Sequence, residues 1–225
     1  MSQTTIYIVD DDAGVIDAIA HLVKPTAARV MAFQSADDFL KTFKPTGPSC
    51  LVLDVRMPGM SGLELQTRLA QSGVGIPIII VTGHADIKMA VDSVKSGALN
   101  FLEKPFRPQE LFDEVQRAIR IDQNAWRRRE EEKSVAAKLA MLKPGERAVL
   151  DLIINGKGNT EIAQQLQMSI RGVEARRAKA MKKLGVSTKQ ELVQLLRPSN
   201  ADVAAADACE LRPQDDADSS PIGTA

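Results

Sequence analysis

The feature that most constrains the fold is an order repeated along the first half of the chain. A short apolar run typical of a β-strand is followed by a segment with the apolar spacing of an amphipathic helix. The predicted strands are Thr5–Asp10, Ala28–Phe33, Cys50–Asp54, Pro77–Thr82 and Asn100–Glu103. The predicted helices are Ala13–Lys24, a helix capped by Ser35 and running through Phe43, Gly62–Ser72, Ile87–Ser96, and one that begins near Pro108.

This alternation predicts one architecture. Nearly continuous apolar strands separated by helices are typical of a parallel sheet that is covered on both faces. Right-handed crossovers leave few topologies for five such units. We therefore expect an α/β domain with a flavodoxin-like, doubly wound sheet of five parallel strands, whose ligands bind beyond the carboxyl ends of the strands.

The second half of the chain has only helical patterns. A charged segment, Gln109–Leu139, predicts one or two exposed helices. A compact all-α domain is then predicted from the helices Pro144–Asn155, Thr160–Leu166, Arg171–Leu184 and Thr188–Leu196, with Asn159, Ser169 and Ser187 as N-caps. The predicted division is 1–121 for the first domain, 122–141 for a helical linker, 142–197 for the helical domain and 198–225 for a disordered tail.

Composition narrows the classes of function. The net charge is zero, yet residues 123–197 carry 16 Lys and Arg against 8 Asp and Glu. This local excess favours a nucleic-acid surface, although solvated helix faces would give the same count. Cys50 and Cys209 lie too far apart for a disulfide framework or a zinc motif. The sequence shows no signal peptide and no run of about 18 apolar residues, so we expect no membrane contact and a cytoplasmic location.

Polar residues end four of the predicted strands. They are Asp10, Asp11 and Asp12 after the first strand, Asp54 on the third, Thr82 on the fourth and Lys104 after the fifth. Strands of a parallel sheet end at one edge, so these groups are expected to converge. Clustered carboxylates repel each other unless a cation joins them, and hard oxygen ligands suit Mg²⁺.

The same residues suggest phosphoryl transfer. An Asp carboxylate such as Asp54 can act as a nucleophile toward phosphorus. Lys104 can neutralise one phosphoryl oxygen and Thr82 can donate a hydrogen bond to another. Each residue also has an ordinary interpretation: the acids could form a polar turn or an N-cap, Asp54 could begin a turn, Thr82 could cap a helix and Lys104 could be a surface lysine.

Residues 5–121 resemble a receiver domain of the FixJ-like group of response regulators. The resemblance rests on IVDDD (8–12), LDVRMPGMSGLEL (53–65), PIIIVTGHAD (77–86) and GALNFLEKPF (97–106). It implies that Asp10, Asp11, Asp54 and the backbone carbonyl of Arg56 hold Mg²⁺, that Asp54 is the phosphoacceptor and that Lys104 binds the phosphate. It further implies that Thr82 and Phe101 form a switch pair, that the Lys104–Pro105 bond is cis and that His84 lines the rim of the pocket.

The helix Arg171–Leu184 combines positive charge with a buried face. Its basic residues are Arg171, Arg176, Arg177, Lys179, Lys182 and Lys183. A basic amphipathic helix that follows a short helix and a turn is typical of a major-groove reader, although membrane or calmodulin-like binding would also use such a helix. We predict that Arg176 or Arg177 reads bases, and that Lys182 and Lys183 contact the DNA backbone.

This second segment is similar to the LuxR/NarL-type DNA-binding domain. The matching residues are LKPGERAVLDLIINGKGNTEIAQQLQMS and VEARRAKAMKKLGV. Two positions depart from that pattern, since Gly172 stands where Thr is usual and Arg176 where His is usual. The operator sequence therefore cannot be carried over from the family.

The combined interpretation is a response regulator and not an enzyme. A histidine kinase would phosphorylate Asp54, and the modified chain, as a homodimer, would bind a double-stranded DNA operator and regulate transcription. One alternative is a signalling protein whose output is a protein contact. Another is a hydrolase of the haloacid dehalogenase type, which expects a DxD motif that Asp54-Val55-Arg56 lacks.

Overall fold

The computed structural model describes residues 3–83 and 94–196. Contacts divide the chain into two compact units, 1–130 and 131–225. Most of the predicted helix Ile87–Ser96, together with His84, Cys209 and the predicted tail 198–225, lies outside the described residues. None of the described helices is long and apolar enough to cross a membrane.

The first unit is built on a parallel sheet. Its strands are β1 (Thr5–Val9), β2 (Arg29–Phe33), β3 (Ser49–Asp54), β4 (Ile78–Thr82) and β5 (Asn100–Glu103). They pair in the order β2-β1-β3-β4-β5, and every pair is parallel. This order is that of the flavodoxin-like doubly wound fold, which confirms the predicted fold class.

Helices cover both faces of the sheet. They are α1 (Ala13–Val23), α2 (Ala36–Thr42), α3 (Gly62–Gln71) and the first part of α4 (Pro108–Ala140). Alternate residues of each strand point to opposite faces, so Ile8 joins one apolar cluster and its neighbour Val9 joins the other. The buried strands β1 and β3 lie in the middle of the sheet and supply residues to both clusters.

The second unit is an all-helical bundle around its own apolar cluster. Its helices are the end of α4, α5 (Pro144–Ile154), α6 (Asn159–Gln165), α7 (Ile170–Leu184) and α8 (Lys189–Leu196). A left-handed Gly185 with a φ of 73° ends α7. The arrangement is helix, turn, helix in the segment α6–α7, because Ser169 caps α7 directly after the short connection from α6.

Two predicted N-caps are wrong by one residue. Helix α6 begins at Asn159, and Gly158 is its N-cap because the Glu161 carboxylate accepts the backbone N–H of Gly158 at 2.9 Å. Helix α8 begins at Lys189, and the Thr188 hydroxyl accepts the backbone N–H of Glu191 at 3.1 Å. In both helices a glutamate in the first turn accepts a backbone N–H at the start of the helix, Glu161 from Gly158 and Glu191 from Ser187.

Beyond residue 121, helix α4 stays attached to the sheet. The buried carboxylate of Asp122 accepts a hydrogen bond from the backbone N–H of Ser49 at 2.7 Å. It also forms an ion pair with Arg129 at 3.1 Å. Arg129 also donates to the carbonyl of Gly75 at 3.4 Å. Burial raises the pKa of Asp122 above its ordinary value, and the bonds from Ser49 and Arg129 oppose that rise. The inward-facing Asp122 is thus a carboxylate that is hydrogen-bonded to Ser49 and paired with Arg129.

Gly62 provides a sharp test of how closely α3 packs against the end of β3. A Cβ at Gly62 would overlap the backbone carbonyl oxygen of Asp54. We expect Gly62→Ala to destabilise this unit by about 1–3 kcal/mol, the usual effect of overpacking. Amide hydrogen exchange of β1 and β3 measures that change for the first unit alone.

Gly75→Ala is the matched control for this change. A Cβ at Gly75 would meet nothing within 4 Å, so the same added methyl group should leave exchange in β1 and β3 unchanged. Equal protection in the two variants would contradict the close packing of α3 against Asp54.

Candidate functional site

Strand register brings two carboxylates together at one edge of the sheet. Val9 of β1 pairs with Leu53 of β3, and the next residues along the two strands are Asp10 and Asp54. Both carboxylates are buried, with 2% and 5% of Asp10 and Asp54 exposed. Two like charges in a desolvated position require a compensating group.

Lys104 supplies the compensating charge. Its Nζ donates to Asp10 Oδ2 at 2.6 Å and to Asp54 Oδ1 at 2.8 Å. The backbone explains how the lysine arrives there, because Thr82 pairs with Glu103 and the carbonyl of Thr82 accepts the N–H of Lys104 at 2.8 Å. The Lys104–Pro105 peptide bond is cis, as the family resemblance implies.

The electrostatics of the site follow from this geometry. Burial raises the pKa of Asp54 above its ordinary value, while the hydrogen bond from Lys104 acts in the opposite direction. Burial by itself would lower the pKa of Lys104, but its bonds to Asp10 and Asp54 outweigh burial, so the pKa lies above the ordinary value. The lysine therefore stays a cation near neutral pH.

The backbone holds the two carboxylates in fixed orientations. The N–H of Arg56 donates to Asp54 Oδ2 at 2.6 Å, and the N–H of Asp12 donates to Asp10 Oδ1 at 3.0 Å. Each carboxylate therefore has one oxygen on Lys104 and the other on a backbone amide. For Asp54, these bonds lower the pKa against the effect of burial, and they leave little rotational freedom for its side chain.

The three consecutive acids have three different environments. Asp10 is buried and paired with Lys104, whereas Asp11 is exposed. Asp12 is the N-cap of α1, since its Oδ1 accepts the N–H of Gly14 at 2.7 Å. The ordinary interpretation of an N-cap therefore applies to Asp12 alone.

The donor set suits magnesium. Among residues 3–83 and 94–196, no three His, Cys, Asp or Glu side chains converge as a metal-binding group. Mg²⁺, however, is commonly bound through one or two carboxylates and keeps water and phosphate oxygens as its other ligands. Asp10 and Asp54 supply two carboxylates at one point, with the exposed Asp11 next in the chain, so the residues present fit this ion.

The predicted switch residues lie on the two neighbouring strands. Thr82 ends β4 and is fully buried, at the same edge of the sheet as Asp54. Phe101 lies in the middle of β5, opposite Ile80, and its half-buried ring packs against the apolar cluster beneath β3 and β4. The structure thus places Thr82 on the strand next to β3, which carries Asp54, and Phe101 one strand further along the sheet, on β5.

In the second unit, two of the six basic residues on α7 face the neighbouring helix α5. Lys183 Nζ donates to the buried carboxylate of Glu146 at 2.6 Å and to the carbonyl of Met141 at 3.0 Å. The hydrogen bond from Lys183 holds the pKa of Glu146 below its ordinary value. The guanidinium of Arg176 lies against Gly145, where a Cβ would come within 2.6 Å of it.

The other four basic residues of α7 lie elsewhere on the helix. Arg171, Lys179 and Lys182 are exposed, and Arg177 is half-buried. Charge counting alone did not separate these groups, because the inward direction of Lys183 depends on the buried Glu146 of another helix. That Arg176 or Arg177 reads bases stays a prediction.

Family models match both halves of the chain. The response regulator receiver domain matches residues 6–116, and the LuxR family of bacterial regulatory proteins matches residues 140–196.

Curated proteins resemble the chain over most of its length. The response regulator protein TmoT of Ectopseudomonas mendocina is 39% identical over 86% of this chain and 88% of its own. The transcriptional regulatory protein FixJ of Bradyrhizobium diazoefficiens is 38% identical over 84% of this chain and 93% of its own.

Solved structures resemble it as well. The response regulator StyR has a TM-score of 0.80 at 37% identity, over 86% of this chain and 98% of the other. Full-length FixJ from B. japonicum has a TM-score of 0.51 at 37% identity, over 87% of this chain and 96% of the other.

One of these relatives is described as a response regulator and the other as a transcriptional regulatory protein, and the two family models cover both units of this chain. Together with the parallel sheet and the helical unit described above, they establish that this chain belongs to the two-component response regulators that carry a LuxR-family DNA-binding domain.

Proposed function

We propose that Asp54 is the phosphoacceptor and that its phosphorylation controls binding of the helical unit to duplex DNA. The observation that carries this proposal is the Lys104 ammonium, which lies within 2.8 Å of an oxygen of Asp54 and bonds to Asp10 as well. The corresponding division is a receiver at 1–121, a linker at 122–141, a DNA-binding domain at 142–197 and a tail at 198–225.

The proposed transfer is a displacement at phosphorus. A carboxylate oxygen of Asp54 forms a bond to phosphorus while the bond from phosphorus to a nitrogen of the kinase histidine breaks. Lys104 is placed to neutralise one phosphoryl oxygen, and Thr82 to donate a hydrogen bond to another. The chain contributes positioning and charge, and the sensor histidine kinase supplies the phosphoryl group.

Magnesium would be held at the same edge of the sheet. Its proposed ligands are Asp10, Asp11, Asp54 and the backbone carbonyl of Arg56. When bound, the ion would offset the negative charge of the phosphoryl oxygens. The carboxylates of Asp10 and Asp54 are oriented for this by the amides of Asp12 and Arg56.

Output would follow from a shift between two states of the receiver. Thr82 and Phe101 would move toward the phosphate and change the surface of the unit, which would favour a homodimer. A dimer would present two copies of α7 to paired half-sites of an operator. The proposed location is the cytoplasm, which is where response regulators of this family act.

The phosphoacceptor assignment predicts a change of mass. Incubation with acetyl phosphate and Mg²⁺ should add one phosphoryl group to the wild-type chain and none to Asp54→Asn, because the amide cannot form the anhydride. Intact mass spectrometry measures both proteins. Asp12→Asn is the matched control, since Asp12 caps α1 and should leave uptake unchanged. Equal uptake by Asp54→Asn would refute the assignment.

Calorimetric titration with Mg²⁺ tests the metal ligands. We expect Asp10→Asn and Asp11→Asn each to weaken binding at least tenfold, because each removes a charged oxygen ligand, while Asp37→Asn on α2 should bind as wild type does. Circular dichroism verifies that each variant is folded. Unchanged affinity in both Asp10→Asn and Asp11→Asn would exclude these residues as ligands.

Binding of DNA is tested by its dependence on salt. Each lost phosphate contact should reduce the log–log salt slope by about 0.9. The proposed contacts are Arg171, Arg176, Arg177, Lys179, Lys182 and Lys183. The adjacent lysines form a matched pair: Lys182→Gln should give the full reduction, and Lys183→Gln a smaller one, because Lys183 already bonds to Glu146. Equal slopes for wild type and Lys182→Gln would contradict this orientation of α7.

A further inference from the structure

We propose that Ala175 and Ala178 read thymine in the operator, by contact of their methyl groups with the 5-methyl group of the base. This inference rests on the proposed binding of α7 to duplex DNA and goes beyond it, because it names the base that the centre of the helix selects. It starts from the face of α7 that the bundle leaves exposed.

The orientation of α7 is fixed by its buried residues. These are Val173, Ala180, Met181 and Leu184, which lie in the apolar cluster of the second unit. Successive residues turn by about 100° around a helix axis. Ala175 therefore lies opposite the centre of the buried face, and it is exposed.

A stripe of exposed residues surrounds Ala175. With helical spacing of three, four, seven and eight residues, this outer face contains Arg171, Ala175, Ala178, Lys179 and Lys182, all of them exposed. No ion pair joins these three basic residues to another described residue. The outer face thus consists of two alanines with long cationic side chains around them.

One flank of α7 contacts α5. Arg176 lies against Gly145, and Lys183 bonds to Glu146. The recognition helix of a helix-turn-helix protein contacts base edges through residues in its N-terminal part. On the outer face, the first nine residues of α7 contain Arg171, Ala175 and Ala178, and the exposed Glu174 and Arg176 border this face on its two sides.

Alanine can read only one base feature in the major groove. Its side chain has no donor or acceptor, so it cannot recognise guanine, adenine or cytosine by hydrogen bonds. Its methyl group can contact the 5-methyl group of thymine, which no other DNA base carries. The short side chains of Ala175 and Ala178 also let the helix approach the bases, while Arg171, Lys179 and Lys182 are long enough to reach phosphates.

The competing explanation is that both alanines serve only as good helix formers on an exposed face. The two explanations differ in their dependence on the thymine methyl group. Deoxyuridine pairs as thymidine does but lacks that methyl, so it removes the proposed contact without altering the hydrogen-bonding edges.

The experiment uses the full chain treated with acetyl phosphate and Mg²⁺. An operator is first selected from a random-sequence duplex pool, and its thymidines are then replaced by deoxyuridine one at a time. We expect one or two positions in each half-site to lose affinity about fourfold, which corresponds to about 0.8 kcal/mol for one buried methyl-sized group. The remaining positions should change little.

Ala175→Gly and Ala178→Gly assign the contacts. Each variant should abolish the difference between thymidine and deoxyuridine at its own position and keep it at the other. The measured quantity is a ratio of affinities for one protein, so any loss of helix stability on introducing glycine affects both operators equally.

The possible outcomes distinguish a failure of specific DNA binding from a failure of thymine recognition by Ala175 and Ala178. If no sequence is selected over random DNA, specific DNA binding fails and this inference falls with it. If an operator is selected but no single deoxyuridine weakens binding, or if the effect persists unchanged in both glycine variants, DNA binding stands and thymine reading by these alanines is wrong.

Discussion

The bond network of Lys104 is the constraint on which the chemistry of the first unit depends. A parallel sheet directs the ends of β1 and β3 to the same edge, so the fold itself brings Asp10 and Asp54 together. Their mutual repulsion and their burial are both unfavourable, and Lys104 offsets them with two short bonds. Buried ion pairs of this kind contribute little net stability because desolvation is costly. Their presence here supports the proposed role of Asp54 as the phosphoacceptor, which needs a carboxylate held in one orientation.

Strand β3 runs from the amino end of the sheet to its carboxyl end, where Asp10, Asp54 and Lys104 lie together. Its last residue is Asp54, and its first residue, Ser49, donates its backbone N–H to Asp122 of α4. Asp122 in turn pairs with Arg129, whose guanidinium lies 5.9 Å from the ring centre of Trp126. The segment of α4 from Asp122 to Arg129 is thus bonded to the same strand that carries the candidate phosphoacceptor.

The sequence predicted the sheet because alternating apolar strands and helices permit few arrangements. It also predicted that Asp10, Asp54 and Lys104 converge, because the carboxyl ends of parallel strands lie at the same end of the sheet. The strand pattern alone could not separate Asp10 from Asp12, and only the family resemblance assigned the metal to Asp10 and Asp11. That difference arises from the turn into α1, where Asp12 points to the helix and accepts the N–H of Gly14. The same limit applies to the N-caps of α6 and α8, which lie one residue away from the predicted positions.

The basic residues of α7 show why a count of charges overestimates the number of side chains that are available to contact DNA. Helix α7 has six cations in its sequence, but Lys183 neutralises the buried carboxylate of Glu146 and so belongs to the packing of the bundle. Removing that lysine would leave a buried charge without its partner. Arg176 rests its guanidinium on Gly145, so a side chain at that position would have to displace it. The rotation of α7 about its own axis is fixed by its buried residues Val173, Ala180, Met181 and Leu184. The rotation, more than the number of cations, decides which side chains face the groove of the DNA.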